Sequence, residues 1–137
     1  MRTGLIAVAL GAGLVLTGCL TTEPSEAKLG EVFQLAPQQS ALITGAAWTI
    51  GFRGVSQDTR CPVETECLVA GEAGIQLDIF GTDARNPIVL STGTDRSSWD
   101  DTHYRVSVVD LTPSPSSSRT IQPEDYRLRL VVESLVP

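Results

Sequence analysis

The chain has 137 residues, of which 10 are basic and 16 are acidic, so its net charge at pH 7 is −6. This length predicts a single domain, and the acidic balance excludes the basic stripe with which proteins follow a nucleic-acid backbone. Hydrophobic residues make up 42% of the chain and charged residues 19%, a composition typical of a folded domain rather than a disordered one. We therefore expect one folded domain that does not bind nucleic acid.

The N-terminus has the pattern of a secretory signal peptide. Arg2 precedes an apolar, glycine-rich run over residues 5–15, which is too short to remain as a membrane-spanning helix. The run ends in Leu16-Thr17-Gly18-Cys19, which resembles the lipobox of bacterial lipoproteins. The resemblance implies that the Cys19 thiol receives a diacylglycerol and that cleavage after Gly18 makes Cys19 the first residue. An ordinary signal peptide or a short N-terminal anchor is the alternative.

A lipidated Cys19 would hold the mature protein stably at a membrane, because each buried methylene contributes about 0.8 kcal/mol. Removal of residues 1–18 takes one basic residue with it and leaves nine basic and 16 acidic residues, a net charge of −7. Anionic headgroups repel such a chain, so attachment depends on the lipid. Leu20 follows Cys19 directly and favours the outer membrane where a cell has two. We predict a protein of the bacterial cell envelope, anchored to the membrane through its N-terminal lipid.

The segment after the anchor predicts a tether. Residues 20–30 are mostly polar, include Pro24 and show no hydrophobic periodicity, as flexible linkers do. We therefore divide the chain into a signal peptide (1–18), a lipidated Cys with a flexible tether (19–30) and a folded domain (31–137).

The folded domain has the pattern of a β-protein, since short apolar stretches with period-two alternation are separated by turn residues. Clear strands are expected around residues 48–53, 75–80, 103–111 and 126–133, and weaker ones at 32–35, 41–43, 67–70 and 88–91. No apolar stripe at helical spacing indicates a long helix. Seven or eight strands predict an all-β, antiparallel sandwich of immunoglobulin-like or related topology, with a small β-barrel as the alternative. The polar stretch 114–119 is expected to be a mobile loop.

Cys61 and Cys67 are expected to form a disulfide, because lipidation takes the third cysteine and the compartment is oxidising. A disulfide that closes so short a loop stabilises the fold by about 2 kcal/mol through the lowered entropy of the unfolded chain. We therefore expect it to shape the loop and not to hold the domain together. A redox-active pair is an alternative, although the spacing is not Cys-x-x-Cys. A zinc site would need further ligands that the neighbouring sequence does not supply.

The segment around these cysteines resembles that of a group of small uncharacterised bacterial lipoproteins and exported proteins. The matching residues are Asp58, Arg60, Cys61, Pro62, Cys67, Ala70, Gly71 and Ala73. Thr59 stands where Ser is usual, and Val69 stands where Trp is usual. The likeness extends loosely from residue 31 to residue 132. It implies export and a shared fold, and it implies no activity.

This motif has a structural and a functional interpretation. Asp58 is expected to form an Asx-turn, and Arg60 to pair with a carboxylate, for which Glu64, Glu66 and Glu72 are the candidates. The structural interpretation is a rigid, braced turn. The functional interpretation is a preorganised binding loop. Its residues would be Asp58, Arg60, Glu64 and Glu66, and its carboxylates would favour a basic partner.

No catalytic residue is predicted. The single histidine, His103, follows two aspartates at the start of a strand, where a solvated side chain is usual. The sequence has no Gly-x-Ser-x-Gly turn, phosphate-binding glycine loop or His-Glu-x-x-His motif. Asp95, Asp100 and Asp101, with His103, could offer oxygen ligands to Ca²⁺, but their spacing is not that of an EF-hand and we interpret them as a solvated acidic loop.

The sequence therefore predicts a membrane-anchored envelope lipoprotein that is not an enzyme and needs no metal or cofactor. Its sandwich would be an interaction or structural module, with another envelope protein as its partner. The alternative is an inhibitor that inserts residues 58–67 or 113–119 into an extracytoplasmic enzyme.

Overall fold

The computed structural model describes residue 18 and residues 23–81 and 84–137. Residues 1–17 and Cys19, on which the lipobox prediction depends, lie outside the described residues. The described part forms the strands β1 (Ser25–Lys28), β2 (Val32–Leu35), β3 (Ser40–Thr44), β4 (Trp48–Asp58), β5 (Ala73–Phe80), β6 (Arg85–Ser91), β7 (Ser98–Asp100), β8 (Tyr104–Thr112) and β9 (Arg127–Ser134). Two 3₁₀ turns cover Thr94–Arg96 and Pro123–Asp125. Across these described ranges, no helix has the length and apolar character needed to cross a membrane.

The strands form two sheets. One has five strands in the order β1-β3-β4-β5-β6, and the other has four in the order β2-β9-β8-β7. All neighbouring strands run antiparallel except β1 and β3, which are parallel. The predicted all-β sandwich is confirmed. The alternative of a small barrel is wrong, because neither sheet closes on itself in the described chain.

The core lies between the sheets and is built by alternation along the strands. On β9, Leu128, Leu130 and Val132 are fully buried, as the sequence pattern predicts. On the facing sheet, Ile75 and Leu77 of β5 are equally buried. Burial of each such aliphatic side chain contributes about 1.5–3 kcal/mol, so this alternation is what holds the two sheets together.

Three segments differ from the sequence prediction. No strand is predicted at Ser98–Asp100, but these residues form β7 and pair with β8. Ser25–Lys28 was expected in the flexible tether, but it forms β1, pairs with β3 and buries Ala27. The folded domain therefore begins before Glu31. The strand expected at 67–70 is wrong, because Leu68 and Val69 project into solvent from an irregular loop.

One end of the sandwich, here called the loop end, gathers the longer connections. The chain leaves β4 at Asp58 and returns to β5 at Ala73, while the connection between β8 and β9 spans residues 113–126. Residues of the two connections contact each other directly. The cysteine motif lies at this end.

Candidate functional site

The candidate site is the connection of residues 59–72, here called the clip loop. Cys61 and Cys67 form a disulfide within it, with their Cα atoms 6.0 Å apart. The predicted cysteine pairing is confirmed.

The two ends of the clip loop are hydrogen-bonded to each other. The Thr59 N–H donates to the Glu72 carbonyl oxygen at 2.9 Å, and the Glu72 N–H donates to Thr59 Oγ1 at 3.1 Å. Gly71 packs so closely here that an added Cβ would lie 1.6 Å from the Thr59 carbonyl oxygen. Only glycine fits at this position.

Arg60 fastens the clip loop to the sandwich. Its Nε and Nη2 donate to the two carboxylate oxygens of Asp58 at 2.8 and 2.7 Å. Its Nη1 donates to the Leu111 carbonyl at 2.6 Å, and Nη2 also donates to the Pro113 carbonyl at 2.8 Å. The Arg60 and Asp58 side chains are only 14% and 12% exposed. One guanidinium thus ties the loop to the end of β4 and to the end of β8.

The partner predicted for Arg60 is wrong, whereas the predicted Asx-turn at Asp58 is confirmed. Arg60 pairs with Asp58 and not with Glu64, Glu66 or Glu72. The Arg60 N–H donates to Asp58 Oδ1 at 3.3 Å, which sets the turn that aims the guanidinium back at the same carboxylate.

Tyr126 completes the polar cluster, donating its hydroxyl to Asp58 Oδ2 at 3.0 Å. Burial opposes ionisation of Asp58, but the hydrogen bonds from Arg60 and Tyr126 and the charge of Arg60 outweigh it and lower the pKa of this carboxyl. Burial, together with the hydrogen bond to Asp58, raises the pKa of Tyr126. The cluster therefore favours an ionised Asp58 beneath a neutral Tyr126.

Glu64 joins the clip loop to the neighbouring connection. Its carboxylate accepts hydrogen bonds from Ser116 Oγ and from the Ser117 N–H, the latter at 3.0 Å. The bond from Ser116 is the main cause of a lowered pKa at Glu64. The Val63 N–H also donates to the Pro115 carbonyl at 3.0 Å. Residues 114–119, predicted to be mobile, are therefore fastened to the clip loop.

Three apolar side chains of the clip loop are exposed to solvent. Leu68 is fully exposed, Val69 is 81% exposed and Val63 is 68% exposed. We call these three residues the apolar tip; Glu66, also exposed, lies in the same loop. The sequence pattern does not reveal this surface, because it predicts a strand at Leu68 and Val69.

A pocket of about 240 Å³ adjoins the polar cluster. It is lined by Asp58, Pro115, Arg119, Ile121 and Tyr126. The Asp58 oxygens are already engaged by Arg60 and Tyr126. Arg119 is mostly exposed, and its Nη2 lies 3.5 Å from Asp125 Oδ2.

The acidic residues considered for calcium make other contacts. Asp100 Oδ1 and Oδ2 accept from Arg105 at 2.7 and 2.6 Å, and these bonds lower the pKa of Asp100. Asp101 accepts from the backbone N–H groups of His103 and Tyr104 at 2.6 and 2.7 Å. In the described ranges, no group of three or more His, Cys, Asp or Glu side chains is placed to hold a metal ion.

A scan against models of protein families and searches of curated proteins and of solved structures find no match to this chain.

Proposed function

We propose that the protein is a lipid-anchored lipoprotein of the bacterial envelope and that its sandwich is a non-enzymatic binding module. The lipobox at Leu16–Cys19 and the sequence likeness to small exported lipoproteins support the location. The apolar tip of the clip loop is the recognition surface, and its partner is another envelope protein.

The observation that carries this proposal is a loop that several contacts hold in place and that exposes apolar side chains to solvent. Three sets of contacts hold the clip loop in place. They are the disulfide, the hydrogen bonds of Arg60 and the hydrogen bonds of Glu64. A loop already held in one conformation loses little entropy on binding. When a partner removes the exposed aliphatic groups of such a loop from water, their burial stabilises the complex.

The proposed contact residues differ from those that the sequence predicts, because most of the predicted residues support the clip loop from within. The Asp58 and Arg60 side chains are mostly buried and hydrogen-bonded to each other, and Glu64 binds the neighbouring connection. These three residues support the loop. Glu66 is exposed in the same loop as the apolar tip, and the chain carries a net negative charge. The complementary partner therefore has an apolar pocket with a basic group at its rim.

Photocrosslinking in intact cells tests the proposal. A photoreactive amino acid at position 68 should capture a discrete envelope protein. The same amino acid at position 42 should not, because Leu42 is an exposed apolar residue on a strand outside the clip loop. Leu68→Ser with Val69→Ser should abolish capture by a probe placed at position 66 and leave the melting temperature unchanged. Equal capture from positions 42 and 68, or capture that survives the double substitution, would refute the proposal.

The inhibitor alternative uses the same clip loop. A rigid, disulfide-closed loop with an exposed aliphatic residue is also what insertion into an enzyme cleft requires. If the captured partner is a hydrolase, the purified protein should inhibit it, and Leu68→Ser should relieve the inhibition. A captured hydrolase that stays fully active at saturating concentrations of the protein would exclude the inhibitor function and leave the binding module.

A further inference from the structure

The outer face of the five-stranded sheet carries a second polar site, on the two strands β4 and β5 that the clip loop connects. Gly51 of β4 stands directly across from Asp78 of β5. A notch of about 190 Å³ opens over this pair. Its lining includes Gln38, Gln39, Gly51, Arg53, Asp78 and Phe80.

Asp78 is the unusual residue of the notch. It lies on β5, between β4 and the edge strand β6, and is only 5% exposed. Its Oδ2 accepts a hydrogen bond from Arg85 Nη2 at 2.7 Å and lies 3.6 Å from Arg53 Nε. Its Oδ1 is buried and has no hydrogen-bond partner among the residues that the structure describes. A buried acceptor without a donor is costly and rare in folded proteins, so this oxygen is suited to a donor from outside the chain.

The groups around Asp78 can move and can bind. The side chains of Arg53 and Arg85 are 51% and 52% exposed, so these long arms can shift and uncover the carboxylate. The Arg85 guanidinium lies over the Phe80 ring, 5.7 Å from its centroid, and Phe80 is 40% exposed. Gly51 has no side chain, so the base of the notch beside this ring is open. A Cβ added there would lie 3.8 Å from the ring, in ordinary van der Waals contact, and would occupy that space.

This set of groups indicates the class of ligand. Asp78 Oδ1 needs a hydrogen-bond donor, which an anion without O–H groups does not supply, and the two guanidinium groups disfavour a cation. A neutral ligand with several hydroxyl groups satisfies both, because each hydroxyl donates and accepts. The half-exposed Phe80 ring supplies an apolar surface for the C–H face of such a ligand. We propose that the notch binds a single neutral sugar ring, with one hydroxyl donating to Asp78 Oδ1 and others accepting from Arg53 or Arg85.

Ligand-observed NMR on the detergent-solubilised full protein tests this site, with glucose, galactose and N-acetylglucosamine as probes and inorganic phosphate as the anionic comparison. At least one sugar should give saturable binding, with a dissociation constant on the order of 1 mM. Gly51→Val, which fills the floor of the notch, should weaken binding at least tenfold. Phe80→Ser, a change at a half-exposed position, should do the same, whereas Gln76→Ala on the exposed face of β5 should have no effect.

Two outcomes would overturn the proposal. One is the absence of saturable binding by all three sugars, whether or not phosphate binds. The other is sugar binding that persists undiminished in a folded Phe80→Ser protein. A melting temperature measured for each variant separates loss of binding from loss of the fold, and Phe80→Ser keeps the test decisive if Gly51→Val does not fold.

Discussion

Arg60 lies in a surface loop, yet we expect it to contribute strongly to the stability of the fold. Its guanidinium donates hydrogen bonds to both sheets, to Asp58 of β4 and to the Leu111 carbonyl of β8. We predict that Arg60→Met lowers the free energy of unfolding by about 3 kcal/mol, since it leaves the mostly buried Asp58 carboxylate without its cation. In a domain of this size the melting temperature should fall by about 10 °C. Thermal unfolding followed by circular dichroism measures the change. Arg119→Met is the control, because that side chain is mostly exposed and its removal should cost within about 0.5 kcal/mol. Equal losses in the two variants would contradict the role of Arg60.

Asp58 gives the loop end a pH dependence. Its pKa in the folded protein lies below the usual 3.8, so its ionised form stabilises the fold at pH values above that figure. This contribution is lost as the pH falls through the lowered pKa. We predict that Asp58→Asn is less stable than the wild type at pH 7, and that the difference shrinks below about pH 4 as the wild-type carboxyl becomes protonated. Urea unfolding between pH 7 and pH 3 tests this. A difference that stays constant over the whole range would show that ionisation of Asp58 is not what matters.

At the scale of elements, the clip loop has three fastenings, and the disulfide is only one of them. We predict that Cys61→Ser with Cys67→Ser lowers the free energy of unfolding by about 2 kcal/mol, the chain-entropy value for so short a loop. The protein should remain folded, because the contacts of Arg60 and Glu64 do not depend on the disulfide. Far-ultraviolet circular dichroism should keep the β-sheet spectrum at room temperature. An unfolded double variant would mean that the disulfide contributes more to the stability of the loop end than the other contacts do.

Elements were predictable where alternation coincides with burial. β5 and β9 place an aliphatic residue at every second position, and those residues form the core. β1 was missed because Ala27 is its only buried residue, too little for a pattern. The strand predicted at 67–70 is wrong because Leu68 and Val69 have strand propensity but lie in a loop, where no strand of the described ranges pairs with them. Local pattern therefore predicts a strand only when a core is there to receive it.

At the scale of the molecule, the long-range contacts of the candidate site are the ones the sequence could not reveal. Arg60 meets the carbonyl of Leu111, 51 residues away, and Tyr126 meets Asp58 across 68 residues. The sequence indicated a braced loop at the cysteines, and the braced loop is there. Which carboxylate pairs with Arg60 depends on how the two sheets meet at the loop end, since Asp58 ends β4 at the point where β8 presents its carbonyl groups. The apolar tip is likewise a product of that arrangement.

If Cys19 is lipidated, as the lipobox predicts, the attachment of the whole molecule to a membrane depends on the Cys19 sulfur. Cys19→Ser removes the acceptor for the diacylglycerol, and the lipoprotein peptidase then has no lipidated substrate to cleave. We predict that this variant accumulates either as an unprocessed precursor or as a protein released from the membrane, because a net charge of −7 cannot hold the mature chain at anionic headgroups. Cell fractionation with detection of the protein's size measures both outcomes. The double variant Cys61→Ser with Cys67→Ser is the matched control, since it removes two thiols and leaves the lipidation site, and it should stay at native size in the membrane fraction. If the Cys19→Ser protein also keeps its native size and membrane partition, the attachment does not come from the lipid, and the lipoprotein assignment is wrong.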